Sequence, residues 1–242
     1  MKVLHNLKIQ SRCSDCQLRS ENFFCSLPPA DLQKFEALKI TNTYPKGTTF
    51  FNEGQPSHGI YMLCQGSVKL STCSRDGKVI ILRIAEAGEI LGLSATVSDT
   101  SYEATAEVLE ACQVNFVRKQ DFLRFLQQTP EASLSAAKQL SRTYHKAYSQ
   151  IRSFGLSNCA GDRLAKLLLE WCETTRRGNG GDNASVHLKI SFTHEEIAEM
   201  IGTSRETVSR LLKDFKEKKL ISVKGSDLII HDREKLQLSG EF

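Results

Sequence analysis

SFTHEEIAEMIGTSRETVSRLLKDFKEKKLI, residues 191–221, decides the fold of this 242-residue chain. Thr193 and Glu196 stand at the spacing where a hydroxyl and a carboxylate cap a helix N-terminus reciprocally. Ile197, Ala198 and Ile201 give that helix an apolar face, and Gly202 predicts its end after about two turns. Thr203 and Glu206 repeat the capping spacing, which predicts a second helix directly after the first. Two short helices joined by a tight glycine turn, with small Ala198 where they approach, form a helix-turn-helix.

At about 100° per residue the second helix sorts into two faces. Val208, Leu211, Leu212 and Phe215 share an arc that must pack inward. Arg205, Glu206, Ser209, Arg210 and Lys213 share the opposite arc, and their chemistry suits a major groove. Arginine is bidentate to guanine, glutamate accepts from cytosine, and serine is short and permissive. Arg210, mid-helix and away from both caps, is the strongest candidate for base readout. From Ser204 to Lys224, seven Lys/Arg face three acids, a basic surface despite a net charge of only +4. LISVKGSDLIIHD then predicts a hairpin turned at Lys224-Gly225-Ser226, with Lys224 at the DNA backbone. The expected partner is double-stranded DNA.

Upstream, the chain divides into a cysteine-bearing segment (1–26), a β-rich region (27–118), a helical region (119–156) and the DNA-binding region (157–242). In the second, glycines recur between β-branched and aromatic residues, the pattern of a small antiparallel barrel or sandwich. SRDGK at 74–78 is a hairpin tip. After Pro130, Ala137, Leu140, Tyr144, Ala147, Ile151 and Phe154 follow a 3-4-3-4-3 spacing. That stripe either lies on the chain's own barrel or pairs with a second copy, which makes Leu140, Tyr144, Ala147 and Ile151 candidate interface residues. DRLAKLLLEWCE is an amphipathic helix carrying Leu164, Leu167, Leu168 and Trp171 on one face. TTRRGNGGDNAS at 174–185 is expected to be a loop. The fold class is therefore α+β: a β-roll, a long helix and a winged helix-turn-helix.

With 40% apolar and 25% charged residues, no long apolar run and no secretory leader, a cytoplasmic protein is expected, with no membrane segment. No dinucleotide-binding glycine fingerprint follows a strand and the histidines are scattered, so an enzyme is not expected. In that compartment clustered cysteines point to metal or redox chemistry rather than disulfides. Of the eight cysteines, Cys13 and Cys16 form a C-x₂-C pair, followed by Cys25.

A glycine-punctuated β-roll, a long helix, EEIAEMIGTSRETVSRLLKDFKEKKLI and a VKGSDLII wing together resemble the CRP/FNR family of bacterial transcription regulators. The resemblance spans essentially the whole chain. It implies a homodimer reading two-fold related half-sites, with RNA polymerase as a further partner. It also implies two classes of signal. Cyclic-nucleotide members carry an arginine for the cyclic phosphate, whereas SYEATA at 101–106 offers no cation, so no cyclic nucleotide is expected. FNR-like members hold an oxygen-labile [4Fe-4S] cluster, which the resemblance places on Cys13, Cys16, Cys25 and Cys112. The gap between Cys16 and Cys25 is longer than the family's usual one. Cys64, Cys73, Cys159 and Cys172 match no ligand position and are expected to be small buried hydrophobes. A Cys₄ zinc site, a thiol switch and a metal-free relative remain open. Glu206, Ser209 and Arg210 resemble readers of a TTGAT-type half-site, while Arg205 is shared with readers of TGTGA.

Overall fold

Period-two alternation between glycine turns builds two sheets. The computed structural model describes residues 9–10, 12–16, 18, 24–157, 159–179, 186–189, 192–225 and 227–238. They fall into two compact units, residues 1–146 and 147–242, each described by itself below.

In the first unit, α1 (Pro29–Leu38) precedes β1 (Ile40–Tyr44), β2 (Thr49–Phe51), β3 (Gly59–Gln65), β4 (Val68–Cys73), β5 (Val79–Ala85) and β6 (Ile90–Leu91). Then come α2 (Leu93–Ser98), β7 (Thr105–Val108), β8 (Cys112–Arg118) and α3 (Lys119–Gln128). The strands form two sheets, antiparallel as the alternation predicts, and ordered β1-β8-β3-β6 and β2-β7-β4-β5. The β4–β5 hairpin turns at the Asp-Gly tip, where Gly77 takes φ +80° and Ser74 N–H donates to Lys78 O at 2.9 Å.

One apolar cluster lies between the sheets and includes Leu63, Val68, Leu91, Cys112 and Val114. A second lies under the helices, where Ile60, Met62 and Val117 meet Phe35, Phe122 and Phe125. Phe24 enters this second cluster, its ring centroid 6.2 Å from that of Phe35 and 5.9 Å from that of Phe122. Burying such a ring contributes about 1.5–3 kcal/mol. It anchors the cysteine-bearing segment to the domain.

The region expected as one helical stretch from 119 to 156 is two helices. Thr129 stands extended before Pro130, because proline crowds its predecessor out of the helical region. α3 buries Phe122 and Phe125 against the sheets and so belongs to the β-roll. The long helix is α4 (Pro130–Leu156), and the division between the units falls inside it rather than after residue 156.

The second unit holds α5 (Ala160–Asn179), β9 (Val186–Lys189), α6 (His194–Ile201), α7 (Arg205–Glu217), β10 (Ile221–Lys224), β11 (Asp227–Ile230) and α8 (Arg233–Leu238). Its antiparallel sheet is ordered β10-β11-β9. Leu164 and Leu168 are buried as the periodicity predicts. The loop expected from Thr174 begins later. No proline interrupts the segment and its first glycine is Gly178, so α5 runs to Asn179; the rest of that loop, 180–185, lies outside the described residues.

The first capping box forms as expected: Glu196 N–H donates to Thr193 Oγ1 at 3.2 Å and Thr193 N–H to Glu196 Oε2 at 2.7 Å. The second does not. Thr203 N–H is used to close the turn onto Ala198 O at 3.0 Å, and Ser204 caps α7 by accepting from Thr207 N–H. Thr193→Ala is expected to cost about 1 kcal/mol. Trp171, the only tryptophan, lies in this unit and its fluorescence reports the shifted denaturant midpoint.

Candidate functional site

Capping and turn geometry fix the two faces of α7. Val208, Leu212 and Phe215 are buried and Leu211 is half-buried, while Arg205, Glu206, Ser209, Arg210 and Lys213 are all exposed. The structure thus presents all five on one surface. Glu206 is held ionised because its own backbone N–H and the Ser204 hydroxyl pull its carboxyl below the usual range. The Ser209 hydroxyl lies 2.8 Å from His194 Nδ1, so the first residue of α6 orients a candidate base-reading side chain. Sequence reasoning missed His194, which is fifteen residues away and carries no periodic signal. Lys213 makes an exposed pair with Glu217 at 3.7 Å, a contact weak enough to exchange for phosphate. Lys224 is exposed at the wing, in register with Asp227. Ser226, expected in that turn, lies outside the described residues.

The candidate interface stripe on α4 divides. Tyr144, Ala147 and Ile151 are exposed, with Ile151 at 65%, whereas Leu140 is half-buried and packs on the chain's own second cluster. Leu140 is therefore corrected from a partner-facing to a self-facing residue. Leu134 and Tyr148 are exposed and were missed. Leu134, Ala137, Ser141, Tyr144, Tyr148 and Ile151 keep a 3-4 spacing, shifted by one residue from the expected stripe at two positions.

In the β-roll, Tyr102 of SYEATA is buried, with its ring stacked on Phe51 at 3.9 Å and its hydroxyl donating to Gly59 O at 2.9 Å. The Glu89 carboxylate pairs with Arg83 and with Lys146, the latter at 3.0 Å.

Cys13, Cys16 and Cys25 line one small cavity beside Phe24, Leu32, Met62 and Asn115, and the fourth thiol lining it is that of Cys64. Cys16 N–H donates to Cys13 O at 3.3 Å, which folds the C-x₂-C pair into a turn. Lys39 Nζ donates to Cys13 Sγ at 3.3 Å and Asn115 Nδ2 to Cys64 Sγ at 3.1 Å. Burial pushes the Cys25 and Cys64 thiols up to about 12, and burial also raises Cys13 against the pull of Lys39. Burial thus favours the thiol over the thiolate at all three. Among the described residues no three His, Cys, Asp or Glu side chains converge on one ion as placed.

The structure does not bring Cys112 to this cavity. Its side chain is fully buried in the cluster between the sheets, because the alternation along β8 sends Cys112 and Val114 to one face and Gln113 and Asn115 to the other. Of the cysteines expected to be buried hydrophobes, Cys172 is buried, Cys159 half-buried and Cys73 exposed.

Residues 162–238 match the Crp-like helix-turn-helix domain and residues 41–129 the cyclic nucleotide-binding domain. The CRP-like cAMP-activated global transcriptional regulator of Mycobacterium tuberculosis (strain ATCC 25618 / H37Rv) is 30% identical over 195 residues, 80% of this chain and 84% of that protein. The chain belongs to the CRP/FNR family. The Global nitrogen regulator of Nostoc sp. (strain PCC 7120 / SAG 25.82 / UTEX 2576) is 31% identical over 214 residues, 84% of this chain and 89% of that protein. Among solved structures, FixK2 from Bradyrhizobium japonicum aligns with TM-score 0.70 at 19% identity, covering 83% of this chain and 96% of that one. A CooA mutant from Carboxydothermus hydrogenoformans aligns with TM-score 0.71 at 24% identity, covering 85% and 89%. At these identities the likeness is one of fold. The chain is accordingly a CRP/FNR-type DNA-binding transcription regulator, and the exposed face of α7 is its candidate DNA-reading surface.

Proposed function

We propose that this CRP/FNR-type regulator binds palindromic TTGAT-like half-sites as a homodimer, under the control of an oxygen-labile [4Fe-4S] cluster on its N-terminal thiolates. One observation carries the reading: Cys13, Cys16 and Cys25 line a single cavity of the sensor unit, together with a further thiol. The donor chemistry fits the group, since such clusters take four cysteine thiolates and are tuned by hydrogen bonds to sulfur. Phe24 holds Cys25 at the domain, and Lys39 and Asn115 already direct N–H groups at two of the sulfurs. When bound, the cluster supplies metal–sulfur bonds that oxygen breaks.

Against a cyclic nucleotide, Tyr102 fills the barrel at SYEATA and Glu89 is occupied by two cations, so a cyclic phosphate there meets no free cationic partner from that stretch. Zinc is the second reading, because four thiols also suit a tetrahedral zinc ion. For DNA, Glu206, Arg210 and a Ser209 oriented by His194 support TTGAT, with TGTGA as the alternative through Arg205. Selection from random DNA decides between them. RNA polymerase is the expected protein partner and the cytoplasm the expected location. No helix among the described residues is long and apolar enough to cross a membrane.

Protein purified without oxygen is expected to be brown and to contain about four iron and four sulfide per chain. Zinc without sulfide supports the second reading and overturns the first.

A further inference from the structure

The alternation of β3 settles which face each of its residues serves. Ile60, Met62 and Cys64 face the cluster under the helices, where Phe24, Cys13 and Cys25 also pack. Leu63 and, from β8, Cys112 and Val114 face the cluster between the sheets. Cys64 and Cys112 therefore lie on opposite faces of one sheet. No side-chain rotation exchanges them, because that requires a one-residue slip of a strand paired over its length.

The register adds a second observation. Leu63 pairs with Val114 and Gln65 with Gln113, which leaves Cys64 as the extra residue of a bulge. A bulge leaves its extra residue out of the ladder pairing, and here that residue's side chain lies at the cavity that Cys13, Cys16 and Cys25 line. The third observation is the polar support. Asn115, on the neighbouring strand, donates to Cys64 Sγ at 3.1 Å, as Lys39 does to Cys13 Sγ at 3.3 Å. Gln113 on the same face holds the Gln10 backbone in both directions, at 2.8 and 2.6 Å, and so ties the N-terminal segment beside β8.

We infer that Cys13, Cys16, Cys25 and Cys64 together form a tetrathiolate metal site, and that Cys112 is no ligand but part of the interior packing. The inference rests on the metal-centre reading above and names its fourth ligand. On loading, four thiols release four protons to solvent as four metal–sulfur bonds form. No electron changes hands when a preformed [4Fe-4S]²⁺ core or a divalent ion is the metal supplied. The product carries a net charge of about −2 in either case, which the Lys39 ammonium and the Asn115 amide offset locally.

The test uses the full chain and two probes, Co(II) alone and equal amounts of Fe(II) and Fe(III) with sulfide, in the absence of oxygen. Wild type and Cys112→Ser are expected to bind one Co(II) with equal thiolate-to-cobalt charge-transfer absorption. Cys64→Ser is expected to lose about a quarter of that absorption, one thiolate in four, and to lose the iron-sulfide chromophore on reconstitution. Equal absorption in Cys64→Ser and wild type, or a loss confined to Cys112→Ser, overturns the inference. Should wild type show four-thiolate cobalt but take up no iron and sulfide, the iron-sulfur reading fails and the tetrathiolate site stands. Wild type that binds neither probe overturns both. A measurement on wild type alone covers the case where a variant misfolds. Co(II) is expected to block alkylation of Cys13, Cys16, Cys25 and Cys64, while exposed Cys73 labels at the same rate with and without metal. Unchanged labelling of Cys64 on cobalt binding also overturns the site.

Discussion

Arg210→Ala is expected to abolish discrimination between a selected half-site and a scrambled one. A bidentate arginine–guanine pair is worth about 1–3 kcal/mol of discrimination. A two-fold dimer loses it twice, about 2–6 kcal/mol, or roughly 30-fold to 2 × 10⁴-fold in relative affinity. Arg210 is exposed on α7 and pairs with no acid among the described residues, so the substitution frees no buried charge and leaves the helix intact. Lys224→Ala is the control. It removes a phosphate contact, weakens binding to all sequences about equally and lowers the salt slope by about 1 per chain. Fluorescence anisotropy at several salt concentrations separates the two. Retained half-site preference in Arg210→Ala means the recognition helix is oriented differently.

Ile151→Glu is expected to convert the dimer to a monomer. Ile151 is 65% exposed within one chain, so the substitution leaves that chain's core untouched. Across a dimer seam the two new carboxylates face each other, where burying unpaired like charge costs several kcal/mol. Specific affinity then falls toward the non-specific level, on the order of 10³-fold or more, because one chain reaches only one half-site. Sedimentation gives the oligomeric state and anisotropy the affinity. An Ile151→Glu protein that stays dimeric places the interface elsewhere.

The helix-turn-helix was legible because its signals are local: one capping box, a glycine stop and a two-faced helix. Even there, the second cap moved from Thr203 to Ser204, since the turn needed the Thr203 N–H. The β-roll was legible as a class from alternation and glycine spacing. Its strand order was not, because β1 meets β8 far along the chain, Ile40 pairing with Phe116 and Tyr44 with Cys112. Which further thiol lines the cavity was not legible for a related reason. Cys112 and Cys64 both stand on strands, and only register, together with the bulge at Cys64, says which face each one serves. Leu140 looked like Tyr144 in the periodicity. It differs only in what the chain's own β-roll presents to it.

One metal centre is proposed to control DNA binding, and one anaerobic sample tests it. Iron, sulfide and affinity for the selected palindrome are measured before air is admitted and again afterwards. The expected result is about four iron and four sulfide per chain at the start. Air then bleaches the protein and weakens DNA binding about 5- to 150-fold, the range of an ordinary coupling energy between two sites. A colourless protein that grips the palindrome equally with and without air contradicts the claim, leaving a helix-turn-helix regulator with a different signal.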